Sequence, residues 1–61
     1  MDPKTLAKLL ETIHRIETEI YTVQATERLR VEYPRTFQIL EDARALLRLA
    51  FVKLSEGDKQ Q

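Results

Sequence analysis

Glu11-Thr12-Ile13-His14 carries the spacing Glu-x-x-His. On a helix such a pair can offer a carboxylate and an imidazole to one metal ion, as in four-helix di-iron proteins. That chemistry requires both side chains to point into a bundle. At about 100° per residue, His14 lies about 100° from an apolar line centred near Ile13 and Ile20, and Glu11 lies further round. A solvated rim histidine and a surface glutamate are therefore expected, with no metal and no cofactor. The only serine, Ser55, sits near the end of the second helical stretch. In a folded-back hairpin it is on the order of 13 Å from His14 along the axis, so the two make no nucleophilic dyad.

Glu17 stands nearer the apolar line, about 60° from its centre and beside Leu10 and Ile13. The plain reading is a flanking glutamate that reaches water along its own stem. The sharper one is a partly buried acid that pairs with Arg44 or Arg48. Glu17 and Arg44 are then a specificity pair, fixing register or partner choice more than stability.

Arg28, Arg30 and Arg35 gather around Tyr33, and Arg44 and Arg48 follow one turn apart. Basic residues beside an aromatic can contact phosphates and stack on bases. Glu27 and Glu32 interleave with them, and over the whole chain ten Lys and Arg balance ten Asp and Glu. The long-range field that gathers nucleic acid is therefore missing. A solvated face with i, i+4 pairs is the plainer account. Arg28, Arg30, Arg35 and Arg48 remain the residues with which the chain would touch a nucleic acid.

The elements that must position these groups are helical. Residues 37 to 54, FQILEDARALLRLAFVKL, form the most apolar stretch. On a helical wheel Phe37, Ile39, Leu40, Ala43, Leu46, Leu47, Ala50, Phe51 and Leu54 fill an arc of about 180°, wider than the stripe of a little over 100° typical of a surface helix. Leu49 and Val52 lie beyond that arc, so more than one neighbour is expected. Pro34 suits the first turn and pushes Tyr33 out of the helix. Gly57 suits a left-handed C-terminal cap.

Upstream, Asp2 and Pro3 make a helix start. Leu6, Leu9, Ile13, Ile16, Ile20 and Val23 follow at alternating gaps of three and four, a heptad seam widened by Leu10. After Val23 the seam stops. Residues 24 to 36 contain no glycine, asparagine or aspartate to form a turn. Three readings are ranked: helix one runs on to residues 29–32 and turns sharply before Pro34; the segment is an extended connection; or the alternation of Leu29, Val31 and Tyr33 marks a strand pairing with a second chain.

The two apolar stripes are equally long, eighteen residues or about 27 Å each. Matched stripes fold back as an antiparallel αα-hairpin. A single domain is expected, with a helix at about 3–30, a helix at about 34–55 and a frayed polar tail at 56–61. A chain of 61 residues buries little surface, and with no cysteine it has no disulfide to compensate. Oligomerisation is the remaining device. The expected fold is all-α, a helical hairpin closing into a homodimeric four-helix bundle.

The expected function is that of a non-enzymatic protein–protein interaction module, a small assembly or regulatory subunit. Its interface would be Leu6, Leu9, Ile13, Ile16, Ile20 and Val23 against Phe37, Leu40, Leu47, Phe51 and Leu54, with Leu46, Leu49 and Val52 free for a second contact. Its partner would be itself or another helical protein. The alternative is a small dimeric nucleic-acid-binding regulator using the arginines near the turn and on helix two. No signal peptide or membrane span is seen, and the absence of cysteine suits a reducing cytoplasm.

Overall fold

The computed structural model describes residues 1–60, with side chains through Gly57. Its elements are α1 (Pro3–Thr26), α2 (Leu29–Glu32) and α3 (Pro34–Gln60). Pro3 opens α1 behind Asp2, whose backbone is extended and whose carbonyl accepts from the Leu6 amide at 3.0 Å. The Asp2 side chain makes no capping hydrogen bond. The Thr5 hydroxyl beside it holds its carboxyl below the usual carboxylate range.

The turn is made without a conventional turn residue. Glu27 closes the last turn of α1 on the Val23 carbonyl, and Arg28 then enters the left-handed region at φ 53° and ψ 40°. The carbonyl of Arg28 starts the next helical turn, accepting from Val31 at 3.2 Å and Glu32 at 3.1 Å. Tyr33 leaves the helical region at φ −137°, because the ring of Pro34 crowds it. Helix one thus ends at Thr26 rather than near residue 30. Residues 29–32 form one separate helical turn, neither an extended connection nor a strand.

At the other end, α3 runs through Ser55, Glu56 and Gly57 to Gln60. Gly57 has no positive φ, so it is not a left-handed cap. A glycine cap is usually closed by an apolar residue just beyond it. Asp58, Lys59 and Gln60 follow instead, and the helix has nothing to stop for. Of the expected frayed tail, Gln61 and the side chains of residues 58–60 lie outside the described residues.

α1 and α3 pack antiparallel along their whole length. The faces turned toward each other are Leu6, Leu10, Ile13, Glu17, Ile20 and Gln24 on α1, and Phe37, Leu40, Arg44, Leu47, Phe51 and Leu54 on α3. The seam keeps Leu6, Ile13 and Ile20, but takes Leu10, Glu17 and Gln24 in place of Leu9, Ile16 and Val23. This is a rotation of α1 by about 50° on the wheel. It follows from Glu17 and Gln24 having polar partners on α3.

The result is a flat object one helix thick, 45 × 16 × 10 Å, with a radius of gyration of 14.1 Å. A compact chain of this length would have about 10.5 Å. Its accessible surface is 5107 Å², against about 4,100 Å² for a folded chain of 7.2 kDa. Among the described residues Leu6 is the one buried apolar side chain. Among them too, no helix is long and apolar enough to cross a membrane.

Candidate functional site

The two long sides of the hairpin differ in chemistry. On the first, residues 17, 21 and 24 of α1 and residues 41, 44 and 48 of α3 recur at helical spacing, so each trio forms one stripe. The stripes meet at Arg44, whose side chain is 12 % exposed. Its Nη1 donates to Gln24 Oε1 at 3.2 Å and to Glu41 Oε1. Its guanidinium carbon lies 4.7 Å from the centroid of the Tyr21 ring, within cation–π range.

Gln24, 3 % exposed, is the most buried polar residue described. Its Nε2 donates to the Phe37 carbonyl at 3.2 Å and to Glu41 Oε1 at 3.3 Å. The Glu17 carboxylate bridges the two arginines, 3.9 Å from Arg44 Nε and 3.6 Å from Arg48 Nε. The first distance is Coulombic contact but too long for a hydrogen bond, and Arg44 Nε is left buried without an acceptor.

Two cations and two anions in mutual contact make a cluster that is neutral and, apart from Arg44 Nε, internally hydrogen-bonded or ion-paired. It presents no unpaired acid, base or nucleophile to a substrate. What it can do is hold α3 in register against α1, because sliding either helix by one turn would bury these groups without partners. The sequence offers Arg44 or Arg48 as the partner of Glu17, and the structure sets Glu17 against both. Glu41 pairs with Arg44 at the i, i+3 spacing that the sequence offers, whereas Gln24 and Tyr21 went unnoticed; the signal available was a polar stripe at i, i+4, i+7 where the apolar seam fades.

Two shallow grooves lie on this side. One, of about 350 Å³, is lined by Ile13, His14, Glu17, Leu47, Arg48, Phe51 and Val52. His14 is exposed at its edge, Glu11 and Ser55 do not line it, and no three acidic or imidazole side chains among the described residues converge on a metal position. The other, of about 300 Å³, holds Arg28 and Arg30 with Tyr21, Phe37, Glu41 and Arg44. Arg35 lies outside both grooves, and Arg48 is committed to Glu17.

The second long side is apolar. His14, Glu17 and Tyr21 mark one edge of α1, so Leu9, Ile16 and Val23 lie on the opposite edge. On α3 the same side carries Ile39, Ala43, Leu46 and Ala50. Leu9, Ile16, Val23, Ile39 and Leu46 are all exposed, Leu46 by 67 % and Ile39 by 64 %. Leu49 and Val52 are exposed as well; Val52 lines the groove beside Arg48, and Leu49 lies on the outer face between the two sides. The flank is a feature of both helices together; the continuous apolar arc of α3 and the seam of α1 each supplied one half of it.

Comparison of the chain with protein-family models, with curated proteins and with solved structures gives no match. The site is therefore read from its own geometry.

Proposed function

We propose that the chain is a non-enzymatic helical interaction module, a small assembly or regulatory subunit that works by covering its apolar flank. In its simplest closed form it is a homodimeric four-helix bundle, the flank of one hairpin against that of another; a second helical protein is the other possible occupant. A cysteine-free module of this kind suits the reducing cytoplasm. One observation carries the reading: five large apolar side chains stand exposed along one side of a chain in which, among the described residues, a single one is buried. The exposed surface exceeds that of a compact chain by about 1,000 Å², a deficit that oligomerisation commonly makes good in small folds.

The test is solution mass and helix content over a dilution series at two salt concentrations. A mass near twice 7.2 kDa, with helix content lost as the assembly dissociates, is the expected result. A monomer that keeps full helix content and cooperative unfolding at the lowest concentration has no need of a covered flank, and overturns the reading.

One observation favours a nucleic-acid-binding regulator as the second reading. Arg28 and Arg30 share a groove with Tyr21 and pair with no acid among the described residues. Glu41 lies in the same groove and the chain has no net charge, so this reading ranks below the first. It requires RNA or DNA affinity that falls steeply with salt.

A further inference from the structure

We infer that the flank is covered by a second copy of this chain, antiparallel to the first, with the two turns at opposite ends and a two-fold axis at the level of Ile16. The inference rests on the interaction-module reading and deepens it, because it fixes the partner and the arrangement.

The first ground is angular. On α1 the flank residues point about 80° away from those facing α3, and on α3 about 100° away from those facing α1. A right angle between two contact faces is what each helix of a square four-helix array needs. The flat side of the hairpin measures 45 by 16 Å. Two such sides in contact bury roughly 1,400 Å² in all, within the range of stable specific interfaces.

The second ground is self-complementarity. Leu9 and Val23 lie seven residues either side of Ile16. An antiparallel α1–α1 pairing about Ile16 therefore sets each Leu9 against Val23 of the second copy, and Ile16 against itself. The Glu17–Arg44 contact places Ile16 level with residues 44 and 45 of α3. About a centre there, Ile39 is as far as Ala50, and Ala43 as far as Leu46. The same axis thus sets large against small twice on α3, the alternation that lets facing layers interdigitate. One axis satisfies both helices, which an isologous interface requires.

Charge separates this axis from the other possible one. Two-fold symmetry along the helices would put both turns at one end and set α1 against α3 of the second copy. Glu19 would then fall level with Asp42, and Lys8 with Lys53, two like-charge pairs on the rim. The axis through Ile16 brings Glu19 within a turn of Arg15 of the second copy, an attractive pair. Its like-charge pairs are Arg35 with Lys53, at the exposed ends where solvent screens it, and Arg15 with Arg15 of the second copy across the axis, where the Glu19 of each copy stands within a turn of both arginines.

The chain has no cysteine of its own, so single cysteines report cleanly. An equimolar mixture of Leu9→Cys and Val23→Cys chains, mildly oxidised, is expected to give the mixed disulfide at least tenfold over either symmetric one. The two Leu9 positions in this dimer are about 21 Å apart. A spin label at exposed Glu32 leaves the flank untouched, and its pair distance should be near the 45 Å length of the hairpin. A dimer with a statistical disulfide mixture, or with labels separated by something near the 16 Å width, overturns the arrangement and leaves the module reading standing. A monomer at hundreds of micromolar overturns the second copy as partner; failure of the module reading itself is read separately, from helix content that survives dilution.

Discussion

Gln24 donates a hydrogen bond across the hairpin to the main-chain carbonyl of Phe37, at 3.2 Å. It does so from the most buried polar position described, seven residues after Glu17 on the same stripe of α1. A side chain there with only apolar atoms would still pack, but Arg44 and Glu41 would each lose a partner. Gln24→Ala is therefore expected to cost about 1–3 kcal/mol, the range for leaving buried polar groups unmade. Urea unfolding at a fixed protein concentration measures it; a change under a few tenths of a kcal/mol would show that water replaces the amide without loss.

Arg44 answers to four groups at once: Glu17, Glu41, Gln24 and the face of Tyr21. Arg44→Lys keeps the charge but not the planar fork or the stacking, so lysine should not rescue the site. Arg44→Met removes the cation and leaves Glu17, whose side chain is 18 % exposed, with Arg48 alone. A loss of about 1–3 kcal/mol is expected for both variants, since breaking one partner of a partly buried charge set exposes the other to desolvation. The Glu17–Arg44 pair itself, 3.9 Å apart, should show a coupling of no more than about 1 kcal/mol in a double-mutant cycle.

Two backbone positions give predictions of opposite residue sense. Arg28 holds a left-handed conformation at φ 53°, where a Cβ crowds the following carbonyl oxygen and glycine, having none, is unstrained. Arg28→Gly should stabilise the hairpin by up to about 1 kcal/mol. Gly57 is inside α3 with nothing within 4 Å of a built Cβ, so Gly57→Ala should stabilise by about 0.5–1 kcal/mol. Thermal unfolding reads both; a destabilising Gly57→Ala would mean that the last turns of α3 are not helical in solution.

Helix type and the start of α3 were legible because they depend on local physics: period, and the fixed φ of Pro34. The hairpin followed from two stripes of equal length. The rotation of α1 was not legible. Leu10 is as good a seam residue as Leu9, but Ile16 and Val23 are good ones where Glu17 and Gln24 are poor, and only the partners on α3 decide between them. Binary pattern ranks a glutamine at a seam position as an interruption. It becomes a contact once Phe37, Glu41 and Arg44 are seen on the facing helix. The turn was missed for a similar reason, since Arg28 has no local preference for a left-handed conformation. It is placed there by the need to bring two 27 Å stripes side by side.

The flank gives the last prediction, because it separates hairpin stability from association. Leu46 is 67 % exposed, so its contacts within the hairpin are few and Leu46→Glu should act on association and not on the contacts between α1 and α3. Full burial of a leucine is worth about 1.5–3 kcal/mol. A two-fold dimer loses that twice, and a glutamate on the interface adds its own desolvation. Self-association should weaken by at least a hundredfold, about 2.8 kcal/mol at 1.4 kcal/mol per tenfold, with helix content at high concentration little changed. Val52 is 49 % exposed and lines the groove beside Arg48, and Val52→Glu should leave the dissociation constant within about threefold, the scale of an ordinary surface change. Sedimentation equilibrium on the pair decides it. Equal effects from the two substitutions would mean that the assembly closes on both sides of the hairpin, and that the polar seam at Arg44 is as much an interface as the flank.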